Sequence, residues 1–477
     1  MTRLYGGHRR GMPSAAATPG RGPSIPGNDA LAWQLHNGGT RTLTDITGVA
    51  DAPAPDAEAL ARARQQGRDA AASDPFSPNP YRGQPSLFRA WMQGFFEAGP
   101  EAGPLPPPRP MPPEGAAVAV LVPPPAPVAR IRPPALMFID PPGFSVRYPS
   151  LVNAALIPPG ALAVMEQAWT RFTFAGRRLE LIRVPGAFIV DEGLAFDHEL
   201  RVIEQTTPTF TDAEIAACRD RIQAALAAGR VNTHAGEGVL CKRRSAFNYG
   251  HYLLDMFPHA FLARQLLADR RLNYVVDRTT PLMLDVIYRS LYQLGVGLDQ
   301  MVIAGPEPQR VESLIVLDGV SEHGSYISPL AIGALESLAL TVVPGPPRRL
   351  FVLRANAPQR LLANQDEVAA RFAQAGYEVI DPGALTLAEQ IVAFRAAERV
   401  VGVMGAAMAN IVFCEPGTPV TMLAHAHMPD TFFWLIANIK RQPYREIRLP
   451  PVIEEDPQSW SGDFLARPED IEAALSV

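Results

Sequence analysis

Beyond residue 345 the chain repeats one pattern: a short apolar run, then a longer segment of helical spacing. Leu350-Phe351-Val352-Leu353, Tyr377 to Ile380, Arg399 to Val403 and Pro419 to Leu423 read as strands. Apolar runs without a polar alternation belong to sheets covered on both faces. Helices are predicted between them. One starts at Asn364 with Glu367 three residues on, and another at Thr386 with Glu389, so both carry the pattern of a capping box. A short helix follows Gly405-Ala406-Ala407 and reaches Phe413, and a last one runs from Pro429 to Ile439. Alternating strands and helices with right-handed crossovers predict a parallel, Rossmann-like sheet.

Upstream the pattern is mixed. Residues 138–240 look β-rich, with runs such as Ala187-Phe188-Ile189-Val190. Alternation then returns. Phe247 to Arg270 is a long helical pattern in which Pro258 predicts a kink. Leu272 to Val276, Met301 to Ala304 and Ser313 to Leu317 are predicted strands, and Pro281 to Leu294 a helix. The N-terminal third has no such order. Of 49 prolines, 27 fall in the first 150 residues, which separates that region from the globular part. Residues 1–55 read as a disordered tail. Residues 56–98 form a small helical island, with patterns over Ala57 to Ala72 and Pro85 to Ala98. Residues 99–137, with Pro106-Pro107-Pro108 and Pro123-Pro124-Pro125, read as an extended linker. The division expected is thus 1–55, 56–98, 99–137, a first lobe at 138–345, a second at 346–450, and a C-terminal tail at 451–477.

Charge and cysteine content narrow the function. The formal charge is −5, which gives no general attraction to nucleic acid, so phosphate binding has to be local. Cys218, Cys241 and Cys414 form no CxxC pair and fit free buried thiols in a reducing compartment. Met1 to Gly20 lacks the apolar core of a secretory signal, and no run approaches the roughly 18 apolar residues of a membrane span. The expectation is a cytoplasmic protein, with peripheral attachment to the inner membrane left open.

Candidate chemistry gathers where the strands of the second lobe end. In open parallel sheets, ligands bind beyond the carboxyl ends of strands and near helix N-termini. Gly405, Ala406 and Ala407 there would let a diphosphate approach the backbone. Arg354 ends the first strand, Arg360 follows in the loop, and both suit phosphate through their forked guanidinium groups. His425 and His427 follow the strand Thr421 to Leu423 and fall at the same edge. In the first lobe, Asn248 is a natural N-cap. His251, Asp255 and His259 recur every four residues and share one helix face. A metal site, a His–Asp pair for acid–base work, and a satisfied buried polar face all remain open for them. The fingerprint of a dinucleotide-binding dehydrogenase is absent at these turns.

Four blocks in order resemble glycosyltransferase family 61, associated in bacteria with capsular polysaccharide biosynthesis. They are Asn248-Tyr249-Gly250-His251-Tyr252-Leu253-Leu254-Asp255-Met256-Phe257-Pro258; Arg354 through Asn364, Asp366 and Glu367; Leu387-Ala388-Glu389-Gln390 with Phe394, Ala397 and Glu398; and Val401 through Asn410, followed by Phe413, Pro416 and Gly417. The resemblance implies a GT-B architecture, two Rossmann-like lobes facing across a cleft, and an inverting transfer without a metal. It implies a nucleotide-sugar donor, UDP-linked first among the candidates, and a glycan acceptor; no cofactor is expected. Arg354, Arg360, Asn364, Glu389, Gln390, Gly405, Ala406, Ala407 and Asn410 would then bind the donor. His251 or Asp255 would be the base, and Asn248, His425 and His427 would line the acceptor side or the cleft. Three positions depart from the family pattern: Met404 stands where a histidine is usual, Leu353 where a serine is, and Tyr252 where a tryptophan is. Methionine donates no hydrogen bond. The alternative expectation is therefore a catalytically degenerate scaffold.

The island at 56–98 is similar to the ribosome modulation factor family in Gly67-Arg68-Asp69-Ala70-Ala71, Asn79-Pro80-Tyr81 and Arg89-Ala90-Trp91-Met92-Gln93-Gly94-Phe95. That similarity implies a two-helix hairpin that recruits a partner. Its low basic content favours a protein partner or self-association over the ribosome.

Overall fold

The computed structural model of the protein describes residues 56–73, 127–340, 342–355, 359–453 and 460–476. Two large sheets organise it. The first is mixed and nine-stranded. Its centre is Gln309–Asp318, antiparallel to Leu179–Val190 on one side and parallel to Asn232–Cys241 on the other. Leu272–Asp277 and Met301–Ala304 continue the parallel half. Leu194–Phe196, Val202–Ile203 and Arg130–Ile131 extend the other half, and Ala135–Ile139 pairs with the start of Leu179–Val190.

The second sheet has six strands, all parallel, in the order Glu378–Ile380, Arg348–Val352, Ala397–Val403, Val420–His425, Tyr444–Leu449 and Ser150–Val152. The four strands expected from the apolar runs are all present. The capping box at Thr386 is made: its hydroxyl accepts from Glu389 N, while the Glu389 carboxylate takes the Thr386 N–H at 2.8 Å. At Asn364 the box is not made. The Asn364 amide is drawn instead to the backbone of Ala466, at 2.8 and 3.1 Å.

Three boundaries move. The linker expected up to residue 137 ends earlier, because Arg130–Ile131 and Ala135–Ile139 are strands of the first sheet. Edge positions tolerate the intervening Pro133-Pro134, which lack N–H donors. Ser150–Val152, expected in the first lobe, is a strand of the second sheet, beside a strand almost 300 residues later. The C-terminal tail is also part of the fold. Helix Pro468–Leu475 buries Ile471 and Ala474 in an apolar cluster with Phe351, Phe372 and Leu449. The segment 138–240 also holds two helices, Pro159–Trp169 and Asp212–Ala227, besides its strands.

The sheets share a core. One apolar cluster contains Leu181 and Val239 of the first sheet, Val352 and Val400 of the second, and helical residues between them such as Leu253, Leu335, Phe394 and Trp434. The three cysteines are free and buried. Helix Ala57–Ser73 matches the first helix of the island. Its second helix, the tail at 1–55 and the linker up to residue 126 lie outside the described residues. Among the described residues no helix is long and apolar enough to cross a membrane.

Candidate active site

The helical run from Tyr249 to Leu266 carries the first half of the site. Asn248 caps it, accepting from Gly250 N at 3.0 Å. The run is not uniform. Tyr252–Met256 forms a π turn, and the α-helix resumes at Phe257 with Pro258 in its first turn. Pro258 has no N–H for the Leu254 carbonyl, so the disturbance expected there as a kink is absorbed one turn earlier as wider winding.

His251 and Asp255 meet across that turn, with Nδ1 2.8 Å from Oδ2. The other Asp255 oxygen accepts the Ser321 hydroxyl at 2.5 Å. Burial opposes the Asp255 carboxylate, but the His251 and Ser321 contacts outweigh it and hold its pKa below the usual carboxylate value. The His251 ring has further company. His323, from the hairpin Ser321–Glu322/Tyr326–Ile327, lies over it with ring centroids 4.4 Å apart, and Phe432 lies 4.8 Å beyond His323. Desolvation lowers the His323 pKa, aided by the neighbouring His251 and opposed by the Asp430 and Asp255 carboxylates. His251, Asp255 and His323 bring ligand atoms within 4.8 Å of one another, a geometry that could hold a divalent ion. His259 separates from this group. It is fully buried against the Leu240 carbonyl at 3.3 Å, and burial pushes its pKa down to about 3.

The second half lies at the carboxyl edge of the parallel sheet. Strand Ala397–Val403 ends in Met404 and Gly405, and a 3-10 helix covers Ala406–Phe413. Gly405 is needed for space, not for its backbone angle: a Cβ there would lie 1.8 Å from Arg354 Nη1. Arg354 stands two residues past its strand, with its N–H held by Gln365 Oε1 at 2.8 Å. Among the described residues its guanidinium reaches only the Gln359 carbonyl, at 3.3 Å, and its Nε is buried without a partner. Arg360 places Nη1 3.0 Å from Met428 Sδ, and its Nε is also buried and unpartnered. Among the described residues neither guanidinium forms an ion pair with a carboxylate. Burial, and then Arg360 itself, push the Arg354 pKa down to about 10. Burial lowers Arg360 as well, opposed by Asp430. Two partly buried guanidinium groups near enough to feel each other's charge, neither ion-paired among the described residues, are suited to receive an anion.

The two halves touch. A Cβ on Gly250 would lie 3.5 Å from Ala409 Cβ and 3.8 Å from Ala406 Cα, so the His251 helix begins against the Gly405 turn. The Tyr249 hydroxyl donates to Asn410 Oδ1 at 2.6 Å, and Asn410 Nδ2 donates to Gln390 Oε1 at 2.7 Å.

Not every candidate residue reaches this place with a free group. Gln390 and Asn410 are buried and use their amides on each other and on Tyr249. Asn364 ties down Ala466, and Glu389 caps its own helix. His425 is buried, with Nδ1 accepting from His427 N at 3.0 Å, and burial pushes its pKa down to about 4. It sits close enough to Arg360 to feel its charge, and His427 packs edge-on against it at 5.2 Å. Met404 is buried in the shared core. Gly405, Ala406, Ala407, Arg354, Arg360, His251 and Asp255 are therefore the candidates that gather. Ser321, His323 and Asp430 were not legible beforehand. Their one signal is position, since Ser321 and His323 follow the end of a buried strand and Asp430 follows the His425–His427 edge.

No curated protein matches the chain. The family model described as Glycosyltransferase 61 matches residues 249–421, a little over a third of the chain, running from the start of the His251 helix through the Arg354 and Gly405 turns into strand Val420–His425. That match supports a glycosyltransferase of this family.

Proposed function

We propose that the protein transfers a sugar from a nucleotide-sugar donor, UDP-linked first among the candidates, to a glycan acceptor in the synthesis of a capsular or other surface polysaccharide. The observation that carries this reading is Arg354, set against the Gly405 turn that packs on the helix bearing His251 and Asp255, with Arg360 near enough to feel its charge and neither ion-paired among the described residues. In this reading the two sheets are the lobes of a GT-B enzyme. The parallel sheet holds the donor diphosphate, and the mixed sheet with its His251 helix presents the acceptor. In this reading the enzyme works in the cytoplasm.

The chemistry follows from the side chains. His251 Nε2 takes the proton of an acceptor hydroxyl while Asp255, at Nδ1, fixes the ring and stabilises the imidazolium. The acceptor oxygen bonds to the anomeric carbon as the bond from that carbon to the diphosphate breaks, which inverts the centre. The negative charge on the leaving diphosphate is met by Arg354, Arg360 and the backbone N–H groups past Gly405. No metal takes part. Thermal denaturation with a set of nucleotide sugars and nucleoside diphosphates tests the reading. At least one is expected to raise the midpoint, Arg354→Ala to remove most of the rise, and a chelator to leave turnover unchanged. The absence of any rise across the set sinks the proposal.

Met404 favours a second reading. Its buried thioether occupies a position where a donor to the ligand is usual in the family, so the transferase body could serve as a scaffold and the N-terminal island as the recruiting element. Turnover by the unmodified protein excludes this second reading.

A further inference from the structure

Trp460 lies outside the segment that matches the family, yet it stands beside the anion site. The C-terminal segment reaches there by a ladder of contacts. Ser461 O accepts from Arg360 N at 3.2 Å, Asp463 Oδ1 from Leu361 N at 2.8 Å, and Leu361 O from Phe464 N at 3.0 Å. Phe464 is buried and packs edge-on against His425, with centroids 5.7 Å apart, which anchors the strap under the histidine edge. Arg360 itself adopts a left-handed backbone, φ 56°, so the ladder holds it in a conformation that a non-glycine residue enters only at a cost.

The strap leaves its largest side chain in solvent. Trp460 remains 40% exposed while the Arg360 guanidinium lies 5.0 Å from its ring centroid. An indole placed for packing would be expected deeper, as Trp169 and Trp434 are. Here one ring face is engaged by a cation that forms no ion pair among the described residues, and the ring stands at the edge of the proposed donor site.

Resting on the nucleotide-sugar reading, we infer that Trp460 is the platform on which the base of the donor stacks, with Arg360 bridging ring and diphosphate. A diphosphate at the Gly405 turn and Arg354 places the nucleoside outward along Arg360, where Trp460 offers a planar surface. The shared chemistry is a diphosphate ester. A lipid-linked diphosphate carries the same charge and is the alternative source. The flat ring stacked on a guanidinium favours an aromatic base.

The test compares UDP, inorganic pyrophosphate and geranyl diphosphate on the full chain and on Trp460→Ala and Trp460→Phe. UDP is expected to bind more tightly than pyrophosphate, to quench tryptophan fluorescence in the unmodified protein, and to lose about tenfold in affinity in Trp460→Ala. Trp460→Phe should retain most of the affinity, and pyrophosphate should bind all three proteins alike. Equal loss of UDP and pyrophosphate in Trp460→Ala overturns the inference, because the ring would then only support Arg360. So does an advantage for geranyl diphosphate that depends on Trp460. If no diphosphate binds the unmodified protein, the donor site fails and this inference fails with it. If pyrophosphate binds and UDP gains nothing from Trp460, only the inference fails.

Discussion

The Tyr249 hydroxyl donates a 2.6 Å hydrogen bond to Asn410, joining the helix that carries His251 to the turn that carries Gly405. Asn410 is buried and Tyr249 partly so, and Asn410 passes the contact on to Gln390. Tyr249→Phe removes the donor and leaves Asn410 Oδ1 unpaired, which costs about 1–3 kcal/mol. Urea denaturation should register that loss while the KM for donor changes little. A raised donor KM at unchanged stability would return Asn410 to the list of donor contacts.

The His251–Asp255 pair should show its role in the pH profile as well as in rate. His251→Ala is expected to lower kcat by about a hundredfold or more, with donor binding preserved. Asp255→Asn keeps the shape but removes the charge that stabilises an imidazolium, so the acidic limb of the kcat–pH profile should move. An unchanged kcat–pH profile in Asp255→Asn argues against a dyad.

Gly405→Ala is a sharp probe because the added Cβ meets Arg354 Nη1 at 1.8 Å. The backbone angle at 405 is extended, φ 174°, so the methyl group strains no dihedral and acts only by displacing the guanidinium. The variant should fold normally and lose most of the thermal shift that a nucleoside diphosphate produces. A full shift in Gly405→Ala would place the anion elsewhere.

Stability should fall on acidification because of two buried imidazoles. The His259 and His425 pKa values are lowered in the folded chain, to about 3 and about 4, while the unfolded chain titrates near 6.5. Between those limits the unfolded state binds more protons, so stability rises with pH there. It is lost as pH falls from about 6.5 toward 4, each histidine contributing at most about 1.4 kcal/mol per pH unit. His259→Gln should flatten the slope of unfolding free energy between pH 4 and 6, measured by urea titration. A slope identical to that of the unmodified protein would refute the assignment.

The buried pair Glu446 and Arg448 supports the histidine edge from below. Arg448 donates to the Met428 carbonyl at 2.7 Å and pairs with Glu446, and both side chains are fully buried. Glu446→Gln leaves an uncompensated guanidinium and should destabilise the fold by about 3–5 kcal/mol, seen in the denaturation midpoint. A loss below 1 kcal/mol would mean that Arg448 finds other partners.

Periodicity and local chemistry by themselves determined much of this protein. The strands around residues 350, 378, 400 and 421 and the Thr386–Glu389 cap depend on neighbours a few residues away, and so does the meeting of His251 with Asp255. Such features are set by winding, propensity and burial along one stretch of chain. Tertiary structure decided the rest. Ser150–Val152 became the last strand of a sheet otherwise built from residues 348–449, since a short strand can dock on any edge of matching register. Asn364, Gln390 and Asn410 have the side chains of ligand contacts, yet their partners came from segments 20 to 161 residues away. His323 over His251, and Trp460 beside Arg360, are contacts between segments far apart in sequence. No local pattern encodes them, because which polar group stays free depends on which others are brought near enough to satisfy it.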